Sequence, residues 1–400
     1  MNLKSVSLVG CGNWGRNILK VLDEIPYLKT VVYDTNINWD QPLGTEEKAF
    51  NVDAVFIASP AGLHYEHVKR ALQNGCHVFV EKPMALKVHQ CVELAMLAEE
   101  KNLVLMVGHI LHYHEGFKKM KKLINKGAIG TVRTVKSIQC GGTKRTDCDA
   151  LQSLAPHYVS QILAIKGFVE PGDIEIDWND SSQLRLFRVT GDNGEIEIEN
   201  DKLFLNFEEV PYLQHALPLT MEIRTFVSAI EHGNHYLNDG WEGAKVMDAI
   251  ENLRDGTFIH PTAMMEGHFH KGSKVWHNSH ICKGAEIGKN VTIGQNVFIG
   301  ENVMIGRDCR IQNNVSIFDG VTIGNGVFIG PGTTFTNVKR PNTGVKAEYE
   351  KTEVMGGSTI GANSTIICGT TIGLRAFIGA GSVVTKDVPS GNTVMGVPAE

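Results

Sequence analysis

Gly10, Gly12 and Gly15 follow one another as Gly-x-Gly-x-x-Gly within VSLVGCGNWGRNI, between an apolar run and an amphipathic one. In that context the first two glycines let a backbone turn and approach a pyrophosphate. The third lets a helix pack on its strand, and the N-terminus of that helix faces the phosphates. Asp34, at the end of the next apolar run, can accept hydrogen bonds from an adenosine ribose and repels a 2′-phosphate, so the pattern favours NAD over NADP. A turn residue ahead of Thr35-Asn36 is the other reading of Asp34. Glu81-Lys82-Pro83, in VFVEKPMAL, ends a further run, where parallel α/β folds bind their ligands.

The other end of the chain offers a scaffold for different chemistry. Counting in sixes from Phe269 meets an apolar residue at every step to Phe335, and the phase returns at Ile360, Ile366, Ile372, Ile378 and Val384. Such a unit cannot bury its apolar side chain alone, whereas stacked coils bury a continuous column, so the repeat predicts a parallel β-helix. The repeat names no reaction. The break in it, Thr336–Thr359, is an excursion of about two dozen residues, and such departures from a regular coil are usually functional.

These residues need elements to hold them. Apolar runs ending at Gly10, Asp34, Ser59, Val80 and Gly108 alternate with helical patterns at Trp14–Asp23, His64–Asn74 and Lys87–Lys101, which predicts a parallel sheet with crossover helices. From Phe117 the pattern changes. A helix ends at NKGAIG, a strand follows over Thr131–Gln139, and a helix covers SLAPHYVSQILAI. Strands then alternate as SQLRLFRVTG, GEIEIEN and KLFLNFEEV, with an Asp-Asn-Gly turn at 192–194, before helices at Pro218–Glu231 and Trp241–Leu253. The expected fold is multidomain α/β plus β. It comprises a Rossmann-type dinucleotide domain (1–117), an α+β substrate domain (118–255) and a C-terminal parallel β-helix (256–400).

Composition sets bounds. The net charge is −6 with no long basic run, which argues against nucleic acid, and KKMKK at 118–122 reads as a solvated helix face. No apolar stretch approaches the ~18 residues of a membrane span, and the N-terminus enters a strand pattern without a signal peptide. The eight cysteines show no metal or redox spacing, so no metal site is expected and a reducing cytoplasm fits.

GCGNWGRN, AVFIASPAGLHYE, HVFVEKPMAL, LVLMVGH and SLAPHYVS, in this order over residues 1–255, resemble the Gfo/Idh/MocA oxidoreductases. They are especially similar to the branch that oxidises C3 of UDP-N-acetylglucosaminuronic acid. The resemblance implies that Gly10, Gly12, Asn13, Trp14, Gly15, Asp34, Ser59, Pro60, His64, Glu81 and Lys82 bind NAD. It also makes Lys82 the cation beside the reacting carbinol and His157 the residue that exchanges the hydroxyl proton. The sequence departs from that family at three places. Tyr158 stands where the family usually has Asp, His112 where an Arg is frequent, and the segment between Gly167 and Ser182 is shorter, which removes strands of the substrate sheet.

GSKVWHNSHI, IGQNVFIG, IQNNVSIFDGVTI, GPGTTFTNV and IGAGSVVTKDVP, within 259–400, resemble left-handed β-helix acetyltransferases that act on amino-sugar nucleotides. That resemblance implies a homotrimer, acetyl-CoA bound along a groove, and Asn313, Asn314 and Asn337 facing the substrate, with Asn337 orienting an amine. Asn313 and Asn314 read equally as stacked corner residues, and Lys386 either meets a CoA phosphate or is simply solvated. The two resemblances together imply a bifunctional enzyme. It would oxidise the 3-hydroxyl of a UDP-N-acetylhexosaminuronic acid with NAD and N-acetylate the derived 3-amino sugar, for surface polysaccharide. The alternative is an active β-helix acetyltransferase whose oxidoreductase module only binds NAD or serves assembly.

Overall fold

Val6, Leu8, Ala54–Ile57 and Val78–Val80 are all buried, because the strands they form lie in the middle of a sheet covered on both faces. The computed structural model describes residues 3–35, 44–140, 148–170, 172–177, 184–341 and 349–400. Strands β1 (Ser5–Val9), β2 (Lys29–Tyr33), β3 (Ala54–Ile57), β4 (His77–Glu81) and β5 (Leu105–Gly108) form a parallel sheet in the order β2-β1-β3-β4-β5. Helices α1 (Asn13–Asp23), α2 (Glu46–Ala49), α3 (Ala61–Gln73) and α4 (Val88–Glu100) make the connections, as the alternating pattern predicts; the one-turn α2 has no periodic signal of its own. Because β2 and β3 flank β1 on opposite sides, the winding reverses there, and a crevice opens at the C-terminal ends of β1 and β3.

After a short 3-10 turn (Ile110–Tyr113), α5 (Glu115–Asn125) buries Phe117 and Met120 and leaves Lys119 and Lys122 exposed. A second sheet holds β6 (Val132–Cys140), β7 (Ile174–Asp177), β8 (Arg185–Gly191), β9 (Gly194–Glu199), β10 (Lys202–Leu205) and β11 (Glu208–Glu209), ordered β11-β10-β9-β8-β6-β7. It is antiparallel except for the β6–β7 pair. Between β6 and β7 runs α6 (Ala150–Lys166). It opens on a capping box between Asp149 and Gln152 and closes on Gly167 at φ 83°. Phe117, Met120, Tyr158 and Ile162 join Val135, Phe187, Val189 and Ile196 in one core, so α5 and α6 cover the same face of this sheet. Two details correct the sequence reading. KLFLNFEEV is not one strand, because Asn206 and Phe207 take φ of 50° and 69° and fold it into the β10–β11 hairpin. The residues after α6 also contribute β7, paired in parallel with β6. Helices α7 (Pro218–His232) and α8 (Gly240–Asp255) follow. Residues 178–183, which include the start of SQLRLFRVTG, lie outside the described residues.

The chain divides into two compact units, Met1–Glu251 and Asn252–Glu400. The second is a parallel β-helix with three faces, in which Lys274, Thr292, Arg310 and Phe328 stack in register at eighteen-residue steps. The inward column from Val275 through Ile329 to Ile378 is fully buried. Asn278, Asn296, Asn314 and Asn363 turn corners at φ between 53° and 60°, where a short polar side chain tolerates the left-handed region. Buried Ser273 and Ser279 donate to the carbonyls of Gly288 and Gly294 and accept from the amides of Val291 and Val297, so the interior hydroxyls are satisfied. The coil begins earlier than the count from Phe269 suggests, at Phe258–Ile259 and Met264–Met265. It also resumes earlier: Thr352–Val354 already pairs with Val321–Ile323, so the excursion ends before Thr352. Its residues 342–348 lie outside the described residues. No helix among the described residues is long and apolar enough to cross a membrane.

Candidate active site

At the end of β1, Gly10 takes φ +88°, and a Cβ there would sit 2.5 Å from the amide nitrogen of Ser59. A Cβ on Gly15 would lie 2.2 Å from the Gly10 carbonyl oxygen, so this glycine sets how closely α1 meets the strand. Gly12 differs: a Cβ there would meet nothing within 4 Å. The turn is therefore tight underneath and open above, which is the shape a pyrophosphate needs at a helix N-terminus. Gly12 is also the N-cap of α1 and, having no side chain, leaves the amides of that first turn facing outward, with exposed Asn13 and Trp14 beside them. Asp34, one residue past β2, accepts from the Cys11 amide at 2.5 Å, which brings its carboxylate to this turn.

The end of β3 is tied to the end of β4. Ser59 lies two residues past β3, and Pro60 is the N-cap of α3. Buried His64 on α3 has Nε2 2.7 Å from the Ser59 carbonyl oxygen and Nδ1 2.7 Å from that of Pro83. An imidazole can donate to both carbonyls only with a proton on each nitrogen. Trp14 donates its indole N–H to the Glu81 carboxylate, which joins α1 to the Glu-Lys-Pro segment. Beneath Glu81 lies Glu222, with no exposed surface. Burial first, and the Glu81 charge second, push its carboxyl well above the usual range.

Lys82, just past β4, donates from Nζ to the carbonyl of Ser153 on α6 at 2.6 Å. One turn further along α6 stands His157. Burial, then Lys82, then His109 and His112 hold its imidazole well below the ordinary value. His109 is 2% exposed; burial, His112 and Lys82 lower it to about 3, and neither ring nitrogen has a hydrogen-bond partner. His112 is lowered to about 4 by burial and Lys121. Its Nε2 lies 3.0 Å from the Ser160 hydroxyl, which donates to the His157 carbonyl. The His109 ring centre is 6.1 Å from that of His157 and 6.4 Å from that of His112. His109 and His157 are thus neutral imidazoles beside the Lys82 cation, with neutral His112 adjoining them.

A cavity of about 320 Å³ opens beside them, lined by Trp14, His157, Tyr158, Gln161, Arg185 and Asp201 among others. His157 Nδ1 and Gln161 Oε1 are buried without a hydrogen-bond partner. His157, Tyr158, Gln161, Arg185 and Asp201 give the cavity polar lining residues, which suits a polyhydroxylated ligand. Tyr158 donates to Gln139 Oε1, an uncharged pair in the position where the resembled family carries a carboxylate. The sequence does not single out Gln139, Gln161, Arg185 or Glu222. Each stands alone in a helix or strand pattern, and only the packing of α6 and α7 against the two sheets gathers them. His109 lies in a quoted run, but no spacing marks it.

In the β-helix, Asn313 Oδ1 accepts from the Gln295 amide at 2.9 Å, and Asn314 accepts from Asn296 at 3.2 Å, so both side chains serve a coil corner. Asn337 is half-buried at the opposite edge of the same face, just past Thr334–Phe335, where the excursion leaves the coil. The neck of the excursion is pinched. The Glu350 amide donates to the Asn337 carbonyl at 3.1 Å, and Lys339 pairs with Glu350 at 2.8 Å. The fold thus separates Asn313 and Asn314 from Asn337, and Lys386 is exposed near the last coils.

Residues 38–109 match the family described as "Oxidoreductase family, NAD-binding Rossmann fold". Residues 275–332 match the GMPPB C-terminal domain, and 357–386 the hexapeptide repeat of succinyl-transferase. A 2,7-anhydro-N-acetylneuraminate hydratase of Mediterraneibacter gnavus is 30% identical over 152 residues, 35% of this chain and 41% of that protein. The chain spans less than half the length of the curated relatives it matches. Among solved structures, UDP-N-acetylglucosamine 3-dehydrogenase GnnA from Acidithiobacillus ferrooxidans aligns with a TM-score of 0.56 at 22% identity, over 64% of this chain and 98% of that one. The WlbA dehydrogenase from Bordetella pertussis, solved with NADH and UDP-GlcNAcA, aligns with a TM-score of 0.54 at 19% identity, over 63% of this chain and 97% of that one. At these identities the structures speak for the fold. The chain joins a Gfo/Idh/MocA-type, NAD-binding Rossmann oxidoreductase domain to a C-terminal hexapeptide-repeat domain.

Proposed function

We propose that the chain carries two activities on sugar nucleotides: NAD-dependent oxidation of the 3-hydroxyl of a UDP-N-acetylhexosaminuronic acid, and acetyl-CoA-dependent N-acetylation of the derived 3-amino sugar. The observation that supports the first most is the pairing of Lys82 with α6 one turn from His157, which lines the cavity. NAD, held by the open glycine turn, Asp34 and the Glu81–Trp14 pair, supplies the hydride acceptor. The Lys82 ammonium sits where it can stabilise alkoxide character on the reacting carbon's oxygen. His157, neutral because it is buried beside Lys82, has a lone pair to accept the hydroxyl proton. Its lowered basicity suits a step in which the lysine has already made that proton more acidic.

In the β-helix, the amine needs orientation more than a base. An amine of pKa near ~8 is partly neutral at pH 7, and Asn337, at the pinched neck of the excursion, is the residue assigned to orient it. The stacked coils and the apolar side chains they leave outside, Phe328 and Phe377 among them, suit assembly into a homotrimer. The work is placed in the cytoplasm, where sugar nucleotides and acetyl-CoA are available.

One observation favours a second reading, in which only the acetyltransferase is active. His157 has no carboxylate beside it, because Tyr158 pairs with Gln139. Incubating the chain with NAD and a UDP-N-acetylhexosaminuronic acid decides between them. The first reading expects a product lighter by two hydrogens in mass spectra. Unchanged sugar, with UDP- and dTDP-linked substrates alike, leaves the second.

A further inference from the structure

Glu266, His280 and Cys282 come together on the outside of the first coils of the β-helix, on the face that begins with Met264–Met265. The register explains why. Met264 pairs with His280 and Met265 with Ile281, so Glu266 and Cys282 are the next pair along adjacent coils, with the Glu266 amide donating to the Ile281 carbonyl at 2.9 Å. The sixteen-residue offset between these coils puts a carboxylate, an imidazole and a thiol within a single turn of stacking, and sequence spacing alone cannot show it.

We propose that these three side chains form a binding site for a transition-metal dication of the zinc class, with three protein ligands and one open position. His280 Nε2 lies 3.1 Å from Glu266 Oε2 and 3.8 Å from Cys282 Sγ, and all three ligand atoms lie within 4.8 Å of one another. A tetrahedral zinc with bonds of about 2.0–2.1 Å to nitrogen and oxygen and about 2.3 Å to sulfur has edges of roughly 3.3 Å and roughly 3.6 Å, close to those separations. The donor set, one soft and two borderline or hard, suits zinc or cobalt rather than calcium or magnesium. His280 is held edge-on against Phe298, 5.8 Å between ring centres, so the imidazole is oriented from the coil above. The surroundings favour a cation. The carboxylates of Glu266, Asp319 and Glu301 lie around the Cys282 side chain. On binding, Cys282 releases its proton to solvent and the metal takes its place, so affinity rises with pH.

The test is cobalt titration of the full chain after chelator treatment. Thiolate-to-cobalt charge transfer gives a near-ultraviolet band that a site without sulfur cannot. The expected result is a saturable band at one equivalent per chain, displaced by Zn²⁺. It should be lost in Cys282→Ser, weakened at least tenfold in His280→Ala, and kept in Cys148→Ser. A thermal-unfolding midpoint in chelator that matches wild type shows that the variants are folded. Absence of the band in wild type, or its survival in Cys282→Ser, overturns the proposal and leaves Glu266 and His280 as a hydrogen-bonded surface pair.

Discussion

The Lys82 ammonium donates to the main-chain carbonyl of Ser153 at 2.6 Å, so the cation at the end of β4 is held by the same helix that carries His157. The hydrogen bond is to backbone, so it survives side-chain changes along α6. Substitution of Lys82 is the sharper probe. Lys82→Ala should lower hydride transfer by about a hundredfold, about 3 kcal/mol of lost alkoxide stabilisation, while NADH still binds. Single-turnover rates and NADH fluorescence titration check the two halves separately. A rate within threefold of wild type would remove Lys82 from the reaction.

Asp34 sets the expected cofactor preference. One of its oxygens accepts from the Cys11 amide at the glycine turn, and a carboxylate at the end of this strand is expected to repel a ribose 2′-phosphate. NAD(H) should bind more tightly than NADP(H), and Asp34→Ala should narrow the difference. Equal or tighter binding of NADP(H) by wild type contradicts this assignment.

Stability should fall on mild acidification. His109 and His112 are lowered to about 3 and about 4 in the folded chain, against about 6.5 when unfolded. Between those values the unfolded chain binds protons that the folded chain refuses. Each histidine therefore destabilises the fold by roughly 1.4 kcal/mol per pH unit below about 6.5, and contributes nothing above it. The unfolding midpoint should drop from pH 7 to pH 5, and less so in His112→Gln. An equal drop in that variant means the protons go elsewhere.

Much of this was legible before any coordinates. Parallel strands between helical periods, and an apolar residue every sixth position, are local signals, so the Rossmann-type sheet and the β-helix follow from them. The glycine turn and Asp34 are legible because a backbone approach to phosphate fixes both residue type and spacing. What local pattern cannot carry is contact between elements far apart in the chain. His109 meets His157, and Tyr158 meets Gln139, through the packing of α6. The Asn206–Phe207 turn hides inside an alternating run because Phe207 is an unusual residue for positive φ. Asn313 and Asn314 look alike in sequence whether they face a substrate or turn a corner, and only the structure shows their hydrogen bonds to a neighbouring coil.

Assembly is expected to belong to the second unit. A chain of residues 252–400 retains every coil strand from Phe258 onward and should sediment as a trimer. A monomer, or a dimer alone, contradicts the proposed assembly.

Paired initial rates show whether one chain holds two independent chemistries. NADH formation on a UDP-linked 3-hydroxy uronic acid and acetyl-CoA use on a UDP-linked 3-amino sugar are followed in wild type and in Asn337→Ala. Wild type is expected to do both, and Asn337→Ala to slow acetyl transfer on the order of tenfold to a hundredfold by loosening the amine while NADH formation stays at the wild-type rate. Acetyl transfer by wild type with no NADH formed from any 3-hydroxy sugar nucleotide would contradict it.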